Sequence, residues 1–256
     1  MALLLMTFSA SAKKKEQVLN EKGEIIKTGY NYGPLPCIAF DADRGFQFGA
    51  LLNLYNYGDG SLYPNTKSDW YFELSAYTKE KKVPSYKAVV EYDNKNIGGG
   101  VRMSVNTGYY KDAGQSWWGL NGYHSYMNYD FLDKKLDDGS ANPNYMPGFY
   151  RFDRDWIKLK VDFQGEILPH FSWLAGYSFQ WFKFTEFGQG QIKTDYELPA
   201  TLMGLYNKWG IISDRDLKGG IASALRVGLR YDTRDVEKSP TKGIWADVCL
   251  VAAPNS

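Results

Sequence analysis

Several features that often reveal a protein's chemistry are scarce in this chain of 256 residues. It has two cysteines, Cys37 and Cys249, which lie far apart in sequence, so they do not predict a metal cluster, and they are too few for a disulfide framework. We expect both to pack as small apolar residues in strands. The formal net charge is +1, which gives no reason to expect nucleic acid as a partner. After residue 12 there is no run of about 18 apolar residues, the length that a membrane-spanning helix needs.

No arrangement of residues predicts catalysis. Neither His124 nor His170 stands with a serine and a carboxylate in a recognisable catalytic pattern. The three glycines at 98–100 are not followed by the Lys-Ser/Thr pair of a phosphate-binding loop. Acidic residues in the predicted loops lack the spacing of an EF-hand; they are Asp137, Asp138, Asp214 and Asp216. We therefore predict a protein that is not an enzyme and that holds no cofactor or metal.

Aromatic residues, by contrast, are abundant: they make up 16% of the chain, and there are 20 tyrosines. Such residues favour strands, and their rings also suit a membrane–water boundary. Apolar and polar residues alternate in many segments, which is the signature of a strand. Alternation is clearest at 157–167, where Ile157, Leu159 and Val161 fall on one face. We predict nine strands, at residues 38–41, 46–54, 70–76, 86–93, 101–106, 157–167, 173–181, 225–231 and 244–250.

Alternation by itself does not distinguish a soluble β-sandwich from a membrane β-barrel. Three features favour the barrel. Several predicted strands reach about ten residues, the length that a tilted strand needs to cross a bilayer. Aromatic residues cluster near strand ends, as in the two girdles of a barrel, and long connections (111–148 and 188–220) alternate with short ones (168–172 and 236–243). The connection at 56–67 is longer than this scheme predicts.

The predicted fold is therefore all-β: a transmembrane antiparallel up-and-down β-barrel, of which this chain supplies an N-terminal portion of about nine strands. The apolar stripe of each strand would contact lipid, and the polar stripe would line a wet interior. We expect five charged residues to face that interior: Lys158, Lys160, Asp162, Arg226 and Arg230. These charges could select anions in a pore, or they could be paired and structural. A soluble secreted sandwich is the remaining alternative.

The N-terminal residues indicate export. Residues 1–12 combine a short apolar core with the small residues Ala10, Ser11 and Ala12, which predicts a signal peptide cleaved after Ala12. Residues 13–33 are polar and mixed in charge, which predicts a periplasmic linker too short to hold a folded domain. Residues 34–256 would then form the barrel portion, in the outer membrane of a bacterial cell.

A more specific pattern lies between the last two predicted strands. Residues 231–243 follow the pattern YDTRD-x4-P-x2-G. The motif residues are Asp232, Thr233, Arg234, Asp235, Pro240 and Gly243. Pro240 suits a turn because it fixes φ and donates no hydrogen bond, and Gly243 permits positive φ where the chain re-enters a strand. Asp232 and Arg234 share a face, and we expect both to point into the interior, where arginine can pair with carboxylates.

This segment resembles a strand–turn–strand of the bacterial surface-antigen barrel found in the BamA/TamA outer-membrane assembly family. Residues 33–49 also look like the opening strands of standalone members. The resemblance implies a sixteen-stranded barrel in which this turn joins strands eight and nine, and our strand count places it at the same turn. It also implies a non-catalytic role in inserting or translocating proteins, with outer-membrane lipid and client outer-membrane proteins as partners.

The chain departs from the family pattern in two ways. Members that assemble other barrels usually carry periplasmic POTRA domains, which residues 13–33 cannot hold, and the family's V-R-G-[FY] loop has no match. Nine strands of such a barrel leave two unpaired edges, which lipid does not tolerate, so we expect an N-terminal fragment of a longer protein. The alternative function is an outer-membrane pore or structural surface barrel of the same fold, without assembly activity.

Overall fold

The alternating segments pair into one long sheet. The computed structural model describes residues 18–19, 23, 25–42, 44–79, 84–188, 199–237 and 239–254. Two short strands, β1 (Val18–Leu19) and β2 (Ile25–Ile26), pair only with each other. The sheet is built from β3 (Tyr30–Asp41), β4 (Gly45–Asn56), β5 (Ser68–Tyr77), β6 (Tyr86–Gly98), β7 (Val101–Ser116), β8 (Arg151–Leu168), β9 (Phe171–Glu186), β10 (Gly220–Asp232) and β11 (Trp245–Ala252).

Each strand of this sheet pairs antiparallel with its neighbours in the chain, so the order runs from β3 to β11 without a crossover. Among the described residues, no backbone ladder joins β3 to β11. The all-β class and the nine predicted strands are therefore confirmed. The match follows from geometry, because successive side chains of a strand point to opposite faces and a half-buried sheet must alternate its residue types.

Several strands extend further than alternation predicts. β7 continues to Ser116 through an irregularity between Asp112 and Gln115, where Gly114 has φ +64°. Such a bulge shifts the period of two, so the pattern beyond it does not read as strand. β8 begins at Arg151, in a charged stretch whose alternation is poor.

The sheet begins within the segment that the sequence predicts as a linker. The predicted signal peptide, residues 1–12, lies outside the described residues. The predicted linker contains β1 and β2, and the sheet begins inside it at Tyr30, which pairs with Asn56 of β4. Residues 30–33 are thus strand rather than linker, because β4 is long enough to extend the ladder to them.

From β6 to β10, two-residue turns at one end of the sheet alternate with long connections at the other, whereas the connection between β4 and β5, residues 57–67, is longer than the alternation predicts. We define the upper end as the end that carries the long connections 117–150 and 187–219, and the lower end as the opposite end, with the turns 99–100 and 169–170. The upper connections contain α1 (Leu202–Lys208) and α2 (Asp214–Leu217), where the sequence predicts only loop. Thr201 caps α1 by accepting a hydrogen bond from the Gly204 amide at 3.1 Å.

The two long connections pack against each other above the sheet. Met146, Phe149 and Tyr150 form a buried cluster, and Leu202 and Leu205 of the α1 segment pack on it. The rings of Phe131 and Phe149 stack with centroids 3.9 Å apart. This cluster is the main apolar core of the described residues, and it belongs to the connections rather than to a face of the sheet.

None of the helices in the described part of the chain is both long enough and apolar enough to cross a membrane.

Candidate functional site

The two faces of the sheet have opposite chemistry, and the polar face is the buried one. On β5, Glu73 and Ser75 are 9% and 2% exposed, whereas Leu74 between them is 66% exposed. We call the face that carries Glu73 the inner face and the face that carries Leu74 the outer face. Cross-strand partners share a face, and the ladder places Ala50 and Ala88 beside Leu74. The apolar stripes of neighbouring strands thus join into one exposed surface.

Glu73 is the centre of a buried hydrogen-bond cluster on the inner face. Its two oxygens are within reach of five donors: Cys37, Gln47, Tyr71, Ser75 and Lys87. The shortest contacts are from the Tyr71 hydroxyl, at 2.7 Å, and the Lys87 ammonium, at 2.8 Å. A buried carboxylate is tolerated only when it is paired and hydrogen-bonded, and Glu73 has both an ion pair and several hydrogen-bond donors.

A second inner cluster lies at the upper end. Asp112 of β7, itself buried, accepts from Arg154 of β8 at 2.6 Å and from Arg44 at 3.1 Å. Arg44 lies in the turn between β3 and β4 and also covers the Tyr77 ring, with its guanidinium carbon 5.0 Å from the centroid. The contact between Arg44 and Asp112 spans several strands, so the sheet curves with its inner face concave.

The five charges predicted to face the interior all lie on the inner face. Asp162 accepts from Arg226 and lies 3.3 Å from the Lys160 ammonium. Arg230 donates to Gln164 at 2.8 Å and lies 3.5 Å from Asp247. The Lys158 ammonium lies over the ring of Tyr110, 5.1 Å from its centroid. Each of these cations is engaged, so the contacts favour the paired, structural interpretation over anion selection.

The predicted motif forms a compact turn between β10 and β11. Arg234 donates two hydrogen bonds to the carboxylate of Asp232, at 2.9 and 2.7 Å, and covers the Trp245 ring. The Asp235 carboxylate accepts from the Thr241 amide at 2.9 Å, from its hydroxyl, and from the Lys242 amide at 3.2 Å. The Thr241 hydrogen bonds lower the pKa of Asp235 to about 2, with the Lys242 amide contributing.

The remaining motif residues fix the backbone of this turn. Thr233 donates its amide to the Ile244 carbonyl at 2.9 Å, and its hydroxyl accepts from the Ile244 amide at 2.9 Å. Gly243 has φ +105°, and a Cβ there would lie 2.3 Å from the Thr233 carbonyl oxygen. Pro240 is exposed at the tip and does not take part in the ladder. The turn is therefore held by its own side chains, and Gly243 cannot be replaced without a backbone shift.

Glu237, which no sequence pattern singles out, joins this turn to β6 and β7 on the inner face. Its carboxylate contacts Arg102 of β7 at 2.6 Å and Lys95 of β6 at 2.7 Å, and Arg102 also pairs with Asp93 at 2.7 Å. Burial would raise the pKa of Glu237, but the bonds from Lys95 and Arg102 outweigh it and lower the pKa to about 2. Glu237 occupies a variable position of the motif, so no pattern signals its role.

A polar cavity of about 430 Å³ lies on the inner face toward the lower end. Its walls carry both signs of charge and several hydroxyl and amide groups; they include Asn53, Tyr71, Glu91, Arg102, Lys160 and Glu237. These groups can hydrate or bind a polar solute. They do not form a nucleophile–base pair with an orienting third group, which is the arrangement that covalent catalysis requires.

The residues considered for catalysis or metal binding lie apart. His124 is exposed in the upper connection, and His170 is in the lower turn, where its ring nitrogen lies 3.2 Å from the Asp232 carbonyl. Cys37 and Cys249 are both free thiols in strands, and Cys37 is the weak donor to Glu73. No group of three or more histidine, cysteine or acidic residues in the described part of the chain is placed to hold a metal.

Comparison of the chain with protein-family models, with curated proteins and with solved structures gave no match.

Proposed function

We propose that this chain forms part of a bacterial outer-membrane β-barrel whose outer face contacts acyl chains and whose inner face lines a polar interior. The observation that carries the proposal is the inverted burial of β5, where a glutamate and a serine are buried and the leucine between them is exposed. A water-soluble sheet buries its apolar face, because that burial drives folding. Lipid removes this requirement, and a barrel then turns its apolar stripe outward.

The height of the apolar surface matches a bilayer. On β8 the outer-face residues run from Ile157 to Ile167 with apolar side chains or glycine at each position. Ten residues of strand span about 33 Å, and a tilt of about 40° reduces this to about 25 Å. A band of about 25 Å is typical of outer-membrane barrels.

Aromatic rings border this surface at both ends, which is a second support. Toward the upper end the outer face carries Phe40, Phe46, Tyr86, Tyr109 and Trp181. Toward the lower end it carries Tyr32, Trp70, Tyr92, Trp173 and Tyr231. Amphipathic rings favour the membrane–water boundary, so two such bands are typical of a barrel in a bilayer.

Within this class we propose an assembly or translocation role of the BamA/TamA type. The support is the turn at 232–243, which follows the family's motif and lies between the eighth and ninth strands of the sheet. Such a protein would act without covalent chemistry, by offering an exposed strand edge to an incoming client strand. Its partners would be outer-membrane lipid and unfolded client barrel proteins.

A pore is the second candidate, and the polar cavity of about 430 Å³ on the inner face favours it. The paired state of Arg226 and Arg230 argues against a strong preference for anions, because a paired cation attracts a passing anion less. A structural surface barrel without transport or assembly activity is the remaining possibility within the same fold.

The membrane location is tested by refolding the full chain in detergent and in lipid vesicles, with plain buffer as the control. We expect the folded form to require detergent or lipid, to migrate faster on a gel before heating than after, and to stay with the vesicles at high salt. A monomeric, folded protein in plain buffer would overturn the proposal.

The role within the membrane is tested by adding an unfolded barrel protein to vesicles with and without the inserted chain. An assembly role predicts faster client insertion with little ion conductance. Steady conductance without faster insertion would instead identify a pore, and neither effect would identify a structural barrel.

A further inference from the structure

The outer face is not uniform: it contains a groove of about 680 Å³ with an almost wholly apolar lining. Small residues, Ala50 and Ala88, lie on either side of Leu74 in the same cross-strand row. The row continues to Tyr109 and Ile157, which also line the groove. Because the small side chains leave space that the larger neighbours border, this part of the surface is concave.

A polar row lies directly above the groove on the same face. One step up each strand, the ladder brings Tyr86, Lys111, Asp155 and Lys183 into register. Outer-face rows are about 7 Å apart, since each residue advances a strand by about 3.3 Å and alternate residues share a face. The polar row therefore stands one side-chain length from the upper rim of the groove.

The row is held together and has an excess of positive charge. Asp155 accepts from the Tyr109 hydroxyl at 2.6 Å and from Lys111 at 3.0 Å. Lys183 is exposed and makes no ion pair within the described part of the chain. Two lysines face one carboxylate, and an ammonium has three donors, so both lysines keep donors for a further anionic oxygen.

We propose that this groove and row bind one phosphate-bearing lipid, with an acyl chain along Ala50, Ala88 and Leu74 and the phosphate at Lys111 and Lys183. The inference rests on the proposed membrane location and adds a specific lipid site to it. Charge complementarity and the continuity of groove and row select a lipid over a peptide strand, because the polar groups lie at one end only. A lipid has this same division between an apolar chain and an anionic headgroup.

The experiment titrates phosphatidylglycerol into the detergent-solubilised full chain and counts bound lipids by native mass spectrometry. Ala88→Phe fills the groove and should weaken binding about tenfold, the effect of losing contact with about two methylene groups. Ala175→Phe, on the outer face of β9 and outside the groove, is the matched control and should bind like the unmodified chain.

A second pair of variants tests the headgroup. Lys183→Gln should reduce the preference for phosphatidylglycerol over phosphatidylcholine about fivefold, as expected for one lysine at a membrane surface. Lys208→Gln, an exposed lysine of α1, should leave the preference unchanged. Inorganic phosphate alone should not displace the lipid, since it cannot fill the groove.

Equal effects of Ala88→Phe and Ala175→Phe, or no effect of either, would overturn the lipid site. So would displacement by inorganic phosphate. Each variant is first tested for vesicle insertion, so that a chain that does not insert at all counts against the membrane proposal rather than against the lipid site.

Discussion

The outer and inner faces of this sheet are made by the same strands, yet they follow opposite rules. Val248 on the outer face is 79% exposed, whereas Asp112 on the inner face is 6% exposed and holds two arginines. In a water-soluble protein, both the exposure of Val248 and the burial of Asp112 would lower the stability of the folded state. Each face is therefore matched to its surroundings, and the following changes test that match.

The largest effect is expected on the inner face, from Glu73→Leu. The change removes the carboxylate that pairs with Lys87 and accepts from Tyr71, and it leaves the lysine with no nearby anion in that cluster. Breaking a buried ion pair in this way costs about 3–5 kcal/mol of unfolding free energy. Denaturant titration in vesicles measures it. The double variant Glu73→Leu/Lys87→Met should recover at least half of the lost unfolding free energy. If Glu73→Leu alone were as stable as the unmodified chain, the inner cluster would not contribute to stability.

The next largest effect is expected on the outer face, from Leu225→Arg. Leu225 lies near the middle of the apolar band, where arginine in a barrel costs about 2–4 kcal/mol. The matched control is Asn53→Arg on the inner face, which lines the polar cavity and should change the unfolding free energy by less than about 1 kcal/mol. Similar costs for the two variants, measured by the same titration, would remove the distinction between the faces.

Gly243→Ala tests the turn that connects β10 and β11 at the lower end. A Cβ there meets the Thr233 carbonyl oxygen at 2.3 Å with φ +105°, so we expect a loss of about 1–3 kcal/mol. Gly220→Ala is the control, since nothing lies within 4 Å of a Cβ at that position. If both glycines tolerate alanine equally, the turn geometry is not a constraint.

The smallest effect is expected from Glu237, which joins the turn to the inner face. Its pKa is lowered to about 2, from an ordinary value of 4.5, by Lys95 and Arg102 against the opposing effect of burial. The stabilisation is thus fully present above about pH 4.5 and is lost as the pH falls toward 2. Because the carboxylate is half-exposed, we expect less than about 1 kcal/mol. The unfolding free energies of the unmodified chain and Glu237→Gln should converge over this window; a gap that stays constant down to pH 2 would contradict the ion-pair explanation.

Alternation predicted the strands and their faces well, because it depends only on the pleat. It placed Leu225, Val227 and Leu229 on one face and Arg226 on the other, as the ladder has them. It could not predict the partners within a face. Glu73 meets Gln47 and Lys87 through the register of neighbouring strands, and register depends on turn geometry that no local pattern contains.

The long connections were the least predictable part. α1 has a threonine cap at Thr201 and buried residues at Met203 and Tyr206, so a helix signal was present but short. A helix of this length is stable only through packing, and its partners Phe149 and Tyr150 lie far away in the chain. The role of Glu237 could not be predicted for a similar reason. Its partner Arg102 is distant in sequence, and no residue near Glu237 indicates the contact.

The strand order allows the sheet to form one hairpin at a time. Every ladder joins strands that are neighbours in the chain. Each hairpin can therefore pair with the preceding strand as the sheet forms, and it does not need segments that are distant in sequence. The tight turn at residues 99–100 is cheap to close, whereas a loop as long as 117–150 costs about 2–3 kcal/mol more in chain entropy. The addition of β8 and of β10 to the sheet should therefore be slow. The cluster around Met146 stabilises the two long connections once both are in place.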